Sequence, residues 1–204
     1  MTFTCRPLQG TNVVGMTGSS GSCRGIRRSV RIAGFINTCV QYPKKKGKRG
    51  IMEGLRVTIS VGVLPNDYTC DGEDRSPQIG VCGVNTRITK SLAILVNDPD
   101  STGGGGFVHW IAWNMELVKM IPEKIPKTPD VSFPIRAVQG KNSFGKIGYN
   151  GPCPPAGQTH RFFFKLYGLD TLLDLQAGST KDQLVRAMQD HIVQYGETFV
   201  TYGR

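Results

Sequence analysis

The sequence predicts a mainly β fold, an antiparallel β-rich domain with one late helix packed on its edge. Three observations predict it. Several short runs are rich in β-branched and aromatic residues, Gly and Pro punctuate them, and helical spacing occurs once, near the C-terminus. A chain of 204 residues is long enough for one well-filled core.

The first run, residues 55–61 (LRVTISV), alternates apolar and polar side chains, as a half-buried strand does. Residues 91–96 (SLAILV) are continuously apolar and stop at Asn97-Asp98-Pro99-Asp100, which reads as a strand buried on both faces ending in an Asp/Pro turn. Residues 107–113 (FVHWIAW) read as another core strand. Residues 161–169 (RFFFKLYGL) read as a fourth, apolar on both faces. Ser179 or Thr180 can cap a helix on which Leu184, Ala187, Met188, His191 and Ile192 share one face, so an amphipathic helix is expected to close the chain before Gly196.

Charge divides the chain. Residues 1–50 hold ten of the 25 Lys and Arg and none of the 15 Asp and Glu, so the entire net charge of +10 belongs to them. This opening stretch ends in Lys44-Lys45-Lys46-Gly47-Lys48-Arg49 and lacks regularly spaced apolar residues, so it cannot offset its ordering entropy by burial. A basic arm for nucleic acid or acidic lipid and an Arg-rich targeting peptide are alternatives. We read residues 1–51 as a disordered tail or an over-extended start, with Met52 a natural initiator. Residues 52–204 form the domain. That domain is neutral and gives no support for nucleic-acid binding.

Cys5, Cys23, Cys39, Cys70, Cys82 and Cys153 form no CxxC pair, which removes zinc-knuckle and thioredoxin-like readings. The apolar stretch 32–36 is too short for a signal core or a membrane span. Reduced thiols in a cytoplasm are therefore expected.

Two stretches carry polar residues a core does not need. One is Asp98-Pro99-Asp100, followed by Gly103 to Gly106 and then His109-Trp110. The other is residues 151–161, GPCPPAGQTHR. Two carboxylates, two imidazoles and a guanidinium converge only if these stretches meet. Each piece also has a plain structural reading: Asp in a turn, a satisfied core histidine at His109 or His191, a strand-edge residue at His160. The glycines do not form GxGxxG between strand and helix, so no dinucleotide site is expected. No GxSxG, HxH or HExxH is present, so neither a nucleophile nor a metal set can be assigned, and no cofactor is expected.

At these stretches the chain resembles the phosphatidylethanolamine-binding protein family. The family's DPDxP-like, His-Trp and GxxPPxGxHR segments stand here as Asp98-Pro99-Asp100, His109-Trp110 and residues 151–161. YTCDGED (68–74), GKIGYNGPCPP (145–155) and TYGR (201–204) are similar to the prokaryotic branch of Raf kinase inhibitor-like proteins. The resemblance covers residues 52–204. It implies an antiparallel β-sandwich with the C-terminal amphipathic helix, and a small pocket for an anionic or phosphorylated ligand lined by Asp98, Asp100, His109, Gly151, Pro152 and His160. Non-enzymatic ligand binding is the first functional expectation, with Asp98 and Asp100 orienting His109 and His160 or meeting an ammonium group. A regulator binding a kinase or protease is the second, and a hydrolase or metal-dependent enzyme the last. Homodimerisation is compatible with such a domain. Three departures from the family pattern bear on the ligand: Asn97 where many relatives have Asp, Ser101-Thr102 in place of Ala-Pro, and Phe162 where Tyr is usual.

Overall fold

The computed structural model describes residues 52–102 and 106–204. The readings of residues 1–51 and of Gly103, Gly104 and Gly105 lie outside the described residues. Ten strands and one α-helix follow in the order β1 (Met52–Glu53), β2 (Arg56–Thr58), β3 (Ile79–Cys82), β4 (Ser91–Asp98), β5 (Phe107–Met115), β6 (Met120–Ile121), β7 (Asp130–Val131), β8 (Ala137–Gln139), β9 (Thr159–Leu169), α1 (Lys181–Met188) and β10 (Ile192–Gly203). Seven strands form one sheet in the order β1-β10-β9-β4-β5-β8-β7, and β2-β3-β6 form a second. Every pairing is antiparallel except β1 with β10.

The continuous apolar run 91–96 becomes β4, buried along its whole length between β5 and β9. That position explains its composition, because a central strand packed on both faces has no side to give to polar residues. One face of the large sheet (Ile94, Trp110, Phe164) clusters with Leu55, Val57, Ile79 and Val81 of the small sheet region. The other face (Leu95, Ile111, Trp113) clusters with Leu184 and Met188 of α1. Trp110 and Trp113 thus fill opposite sides of the same sheet, each fully buried. Trp110 donates its indole N–H to Gln139 Oε1 at 2.7 Å, satisfying the polar atom that so large a side chain brings inside.

The helix starts as its cap chemistry dictates. Thr180 and Gln183 form a capping box, and Leu184 and Met188 turn inward. Its end differs from the sequence reading. The helix stops at Met188, His191 lies beyond it, and Ile192 opens the strand β10, which closes the chain in place of a terminal helix. Pairing decides the outcome: Asp170 N–H donates to the His191 carbonyl, and β10 then runs along β9 from Ile192↔Leu169 to Gly203↔Thr159. Eleven residues of β9 have no other antiparallel partner on that side, so tertiary pairing overrides a short helical period. Strand β9 also alternates: Phe162, Phe164 and Leu166 are buried, while the other face mixes exposed Arg161 with half-buried Phe163, Lys165 and Tyr167, the last packed against the helix-side cluster.

The thiol expectation is overturned at Cys70, Cys82 and Cys153, each of which is disulfide-bonded. Cys70 and Cys153 form a disulfide with Cα atoms 5.4 Å apart. The loops that carry them abut, with Cys70 N–H donating to the Pro152 carbonyl at 3.1 Å.

Candidate functional site

The two polar stretches meet at one end of the large sheet. Asp98 ends β4, while His109 of β5 and His160 of β9 stand on the strands to either side. A β-bulge places His109. Val96 pairs with Trp110 and Asn97 with Val108, so β5 spends two residues where β4 spends one, and His109 is the extra residue. Bulges re-aim side chains in this way. The His109 ring accordingly lies beside Phe107, Phe144 and Phe162, with centroids 5.2, 5.7 and 5.3 Å away.

Asp98 is held by donors on both oxygens. Its Oδ1 accepts from the N–H groups of Asp100 (2.8 Å) and Ser101 (3.2 Å), the local turn bonding expected of Asp before proline. Its Oδ2 lies 2.7 Å from His160 Nδ1, which therefore carries the proton donated to the carboxylate. His160 Nε2 lies 3.0 Å from Gln158 Oε1. His109 is oriented differently. Its Nδ1 is 2.8 Å from the Asn150 carbonyl, which fixes the Nδ1–H tautomer and leaves Nε2 as the acceptor of the neutral ring. Burial pushes the His109 imidazole below its usual pKa, an effect larger than the opposing pull of the Asn150 carbonyl and of Asp98 and Asp74.

The Asn150 carbonyl is itself positioned by Asp74. Asp74 Oδ2 accepts from Asn150 Nδ2 and Lys127 Nζ, both at 2.6 Å, and Oδ1 accepts from Gly151 N–H at 2.5 Å. Asn142 adds a bond from Nδ2 to Asn150 Oδ1 at 2.8 Å, while its own Oδ1 accepts from the Phe144 and Lys146 N–H groups. The same residues thus set the His109 tautomer and the Phe144 wall.

These groups enclose a cavity of about 180 Å³ lined by Asp98, Ser101, Phe107, His109, Phe144, Cys153, Pro154, Pro155 and His160. Of the six residues expected from the sequence, Asp98, His109 and His160 line it. Asp100 does not: it forms a bidentate pair with Arg161 at 2.6 and 2.9 Å and accepts the Arg161 N–H, so the two aspartates do not act alike. The Arg161 guanidinium holds the Asp100 carboxyl at a pKa of about 2. Gly151 and Pro152 sit behind the wall. A side chain at Gly151 would collide with the Tyr68 carbonyl, and the Pro152 carbonyl receives Cys70 N–H. Sequence reasoning missed Asp74, Asn150 and Phe144. YTCDGED and GKIGYNGPCPP contain the first two, but nothing in their spacing indicates that they meet.

Other chemistry is sparse. Among the described residues, no group of three or more His, Cys, Asp or Glu could hold a metal ion. No helix among them is long and apolar enough to cross a membrane. A larger hollow of about 610 Å³ lies between β3 and residues 117–120, but its lining is mainly apolar.

The fold and site define a mainly β protein of antiparallel sheets with a small aromatic and imidazole cavity at a sheet end. A family model described as phosphatidylethanolamine-binding protein matches residues 57–203. A UPF0098 protein of Pyrococcus abyssi is 49% identical over 142 residues, covering 69% of this chain and 79% of that protein. Among solved structures, a phosphatidylethanolamine-binding protein homologue from Chlamydia trachomatis superposes with a TM-score of 0.66 at 35% identity, covering 74% of this chain and 98% of the other. YbcL of Escherichia coli gives 0.67 at 28% identity, covering 74% and 99%. The chain belongs to the phosphatidylethanolamine-binding protein family, on its prokaryotic branch.

Proposed function

We propose that the protein binds a small phosphorylated ligand in the cavity between Asp98, His109 and His160, and does not transform it. The observation that carries this reading is the convergence of two imidazoles, with Asp98 and Ser101, on a cavity of about 180 Å³ whose remaining walls are Phe, Pro and Cys. Such a volume suits a phosphate or a head group rather than a dinucleotide or an acyl chain, since sites for drug-sized ligands begin at roughly 300 Å³. Repulsion between the Asp98 carboxylate and an anion is reduced, because both its oxygens accept from donors. Ser101 and the imidazoles supply polar contacts, and Phe107 and Phe144 shield them from water. Family membership supports a ligand-binding role without naming the ligand.

Calorimetric titration of the full chain with inorganic phosphate and with phosphoethanolamine tests the proposal. Saturable binding that weakens at least about tenfold in His109→Ala, the loss of ~1.4 kcal/mol, supports it. No heat above dilution, with the fold intact, removes it.

A further inference from the structure

One wall of the cavity is built from Cys153, Pro154 and Pro155, and its backbone has few hydrogen bonds. Neither proline has an N–H to donate. Among the described residues, the backbone bonds around this wall are Cys70 N–H to Pro152 on one side, Gln158 N–H to Pro155 in a turn, and on the other side Gly157 N–H to the Arg204 carbonyl and Arg204 N–H to the Gln158 carbonyl. Besides the Arg204 guanidinium, 3.7 Å from Cys153 Sγ, a further tie is covalent. The disulfide joins cavity-lining Cys153 to Cys70, a residue of the neighbouring loop that does not line the cavity.

Upstream of Cys153 the situation is the reverse. Asn150 and Gly151 are anchored on Asp74, and the Tyr149 hydroxyl donates to the Tyr68 carbonyl at 2.7 Å. Opening the disulfide would therefore leave the His109 side of the cavity in place and free the proline side. Both cysteines are exposed, so an external thiol can reach the bond.

We propose that the Cys70–Cys153 disulfide is a redox latch on the ligand cavity, closed when oxidised and loosened when reduced. The inference rests on the ligand-binding reading of the same cavity. A dithiol supplies the electrons. One of its thiolates attacks Cys70 Sγ, the S–S bond breaks, and Cys153 leaves as a thiolate, 3.7 Å from the Arg204 guanidinium, which stabilises that charge. The second thiol of the reductant then closes on the mixed disulfide and releases Cys70. The reductant gives two electrons and two protons and ends as a disulfide. The protein ends as two thiols. Ordering the freed proline wall around a ligand then costs conformational entropy that the oxidised form has already lost.

The test is phosphate titration of the full chain before reduction, after reduction with dithiothreitol and after reoxidation, with the imidazole resonances of ligand-free protein followed alongside. Cys70→Ser keeps every cavity-lining side chain but lacks the bond, so it separates this bond from any effect of reductant elsewhere. The expected result is affinity weakened about tenfold on reduction, ~1.4 kcal/mol, restored on reoxidation, and insensitive to dithiothreitol in Cys70→Ser. Equal affinity of the oxidised and reduced forms overturns the latch. If neither form binds phosphate, the ligand reading fails on its own account and the resonances decide the latch. Movement of the His160 signal on reduction, absent in Cys70→Ser, supports it, and unchanged signals overturn it. Should Cys70→Ser not fold, reduction and reoxidation of the unmodified protein decide by the same criteria.

Discussion

His109 Nδ1 and the carbonyl oxygen of Asn150 are 2.8 Å apart, and this contact decides what the ring offers to a ligand. The proton sits on Nδ1, and burial keeps the imidazole neutral by lowering its pKa from 6.5. Nε2 is then a hydrogen-bond acceptor. A phosphate oxygen can meet it only if a proton lies between them, taken either by the ring or by the phosphate, whose second pKa as a monoester is about 6. Binding should therefore take up close to one proton at pH 8, and affinity should fall by up to about tenfold per pH unit above neutrality. Calorimetry in two buffers of different ionisation heat checks this. Binding with no proton uptake contradicts it.

The same lowered pKa has a consequence for stability. Below the unfolded value of 6.5 the unfolded chain binds a proton that native His109 resists, so stability rises with pH across that region and falls on acidification. His109→Phe should flatten the urea midpoint between about pH 5.5 and about pH 7.5, one unit either side of the ordinary histidine pKa. An unchanged slope would place the titration elsewhere.

Asp98→Asn keeps an oxygen for the Asp100 and Ser101 N–H groups but removes the carboxylate facing His160 Nδ1. A charge-assisted bond of this kind is worth about 1.5–3 kcal/mol. The variant should lose stability of that order, and ligand affinity should fall because the His160 ring is no longer held. Equal affinity for the variant would mean that Asp98 has no positioning role.

Asp100→Asn should behave differently although it lies two residues away. Its carboxyl pairs with the half-exposed Arg161 outside the cavity lining, and solvent screening leaves such surface pairs little weight in stability. Ligand affinity should be unchanged. The folded pKa of about 2 lies below the ordinary 3.8, so the contribution is present above 3.8 and disappears as pH falls through 2. Wild type and variant should therefore differ at neutral pH and converge in strong acid. A variant that binds ligand more weakly would return Asp100 to the site.

Asp74→Ala should weaken ligand binding without touching the cavity. It strands Gly151 N–H and Asn150 Nδ2, each a part-buried donor whose loss of partner costs about 1–3 kcal/mol. Thermal unfolding should report that loss, and the His109 resonance should shift because the Asn150 carbonyl moves. A shift at His109 separates positioning from simple destabilisation.

What was legible in the sequence divides along physical lines. The central strand β4 was plain because burial on both faces leaves an uninterrupted apolar run at residues 91–96. The start of α1 was legible to within one residue, Ser179 or Thr180, because capping acts locally, and the Thr180–Gln183 capping box decides it. The end of that helix was not, since Ile192 is claimed by a strand partner at Leu169 that no local pattern contains. The proximity of Asp98 to His160 spans 62 residues and emerges only from strand order. His109 reads as a core histidine until the bulge beside it is seen. Asp74 was invisible as a site residue because its three partners lie 53 to 77 residues away.

The most direct measurement is the imidazole spectrum of the full chain during titration with inorganic phosphate. Saturable shifts of both His109 and His160 with one common dissociation constant, and none at His191, are the expected result. His191 pairs with Asp170, and it does not line the cavity. Flat His109 and His160 signals in a folded protein, or equal shifts at all three rings, would contradict a phosphate site between Asp98, His109 and His160.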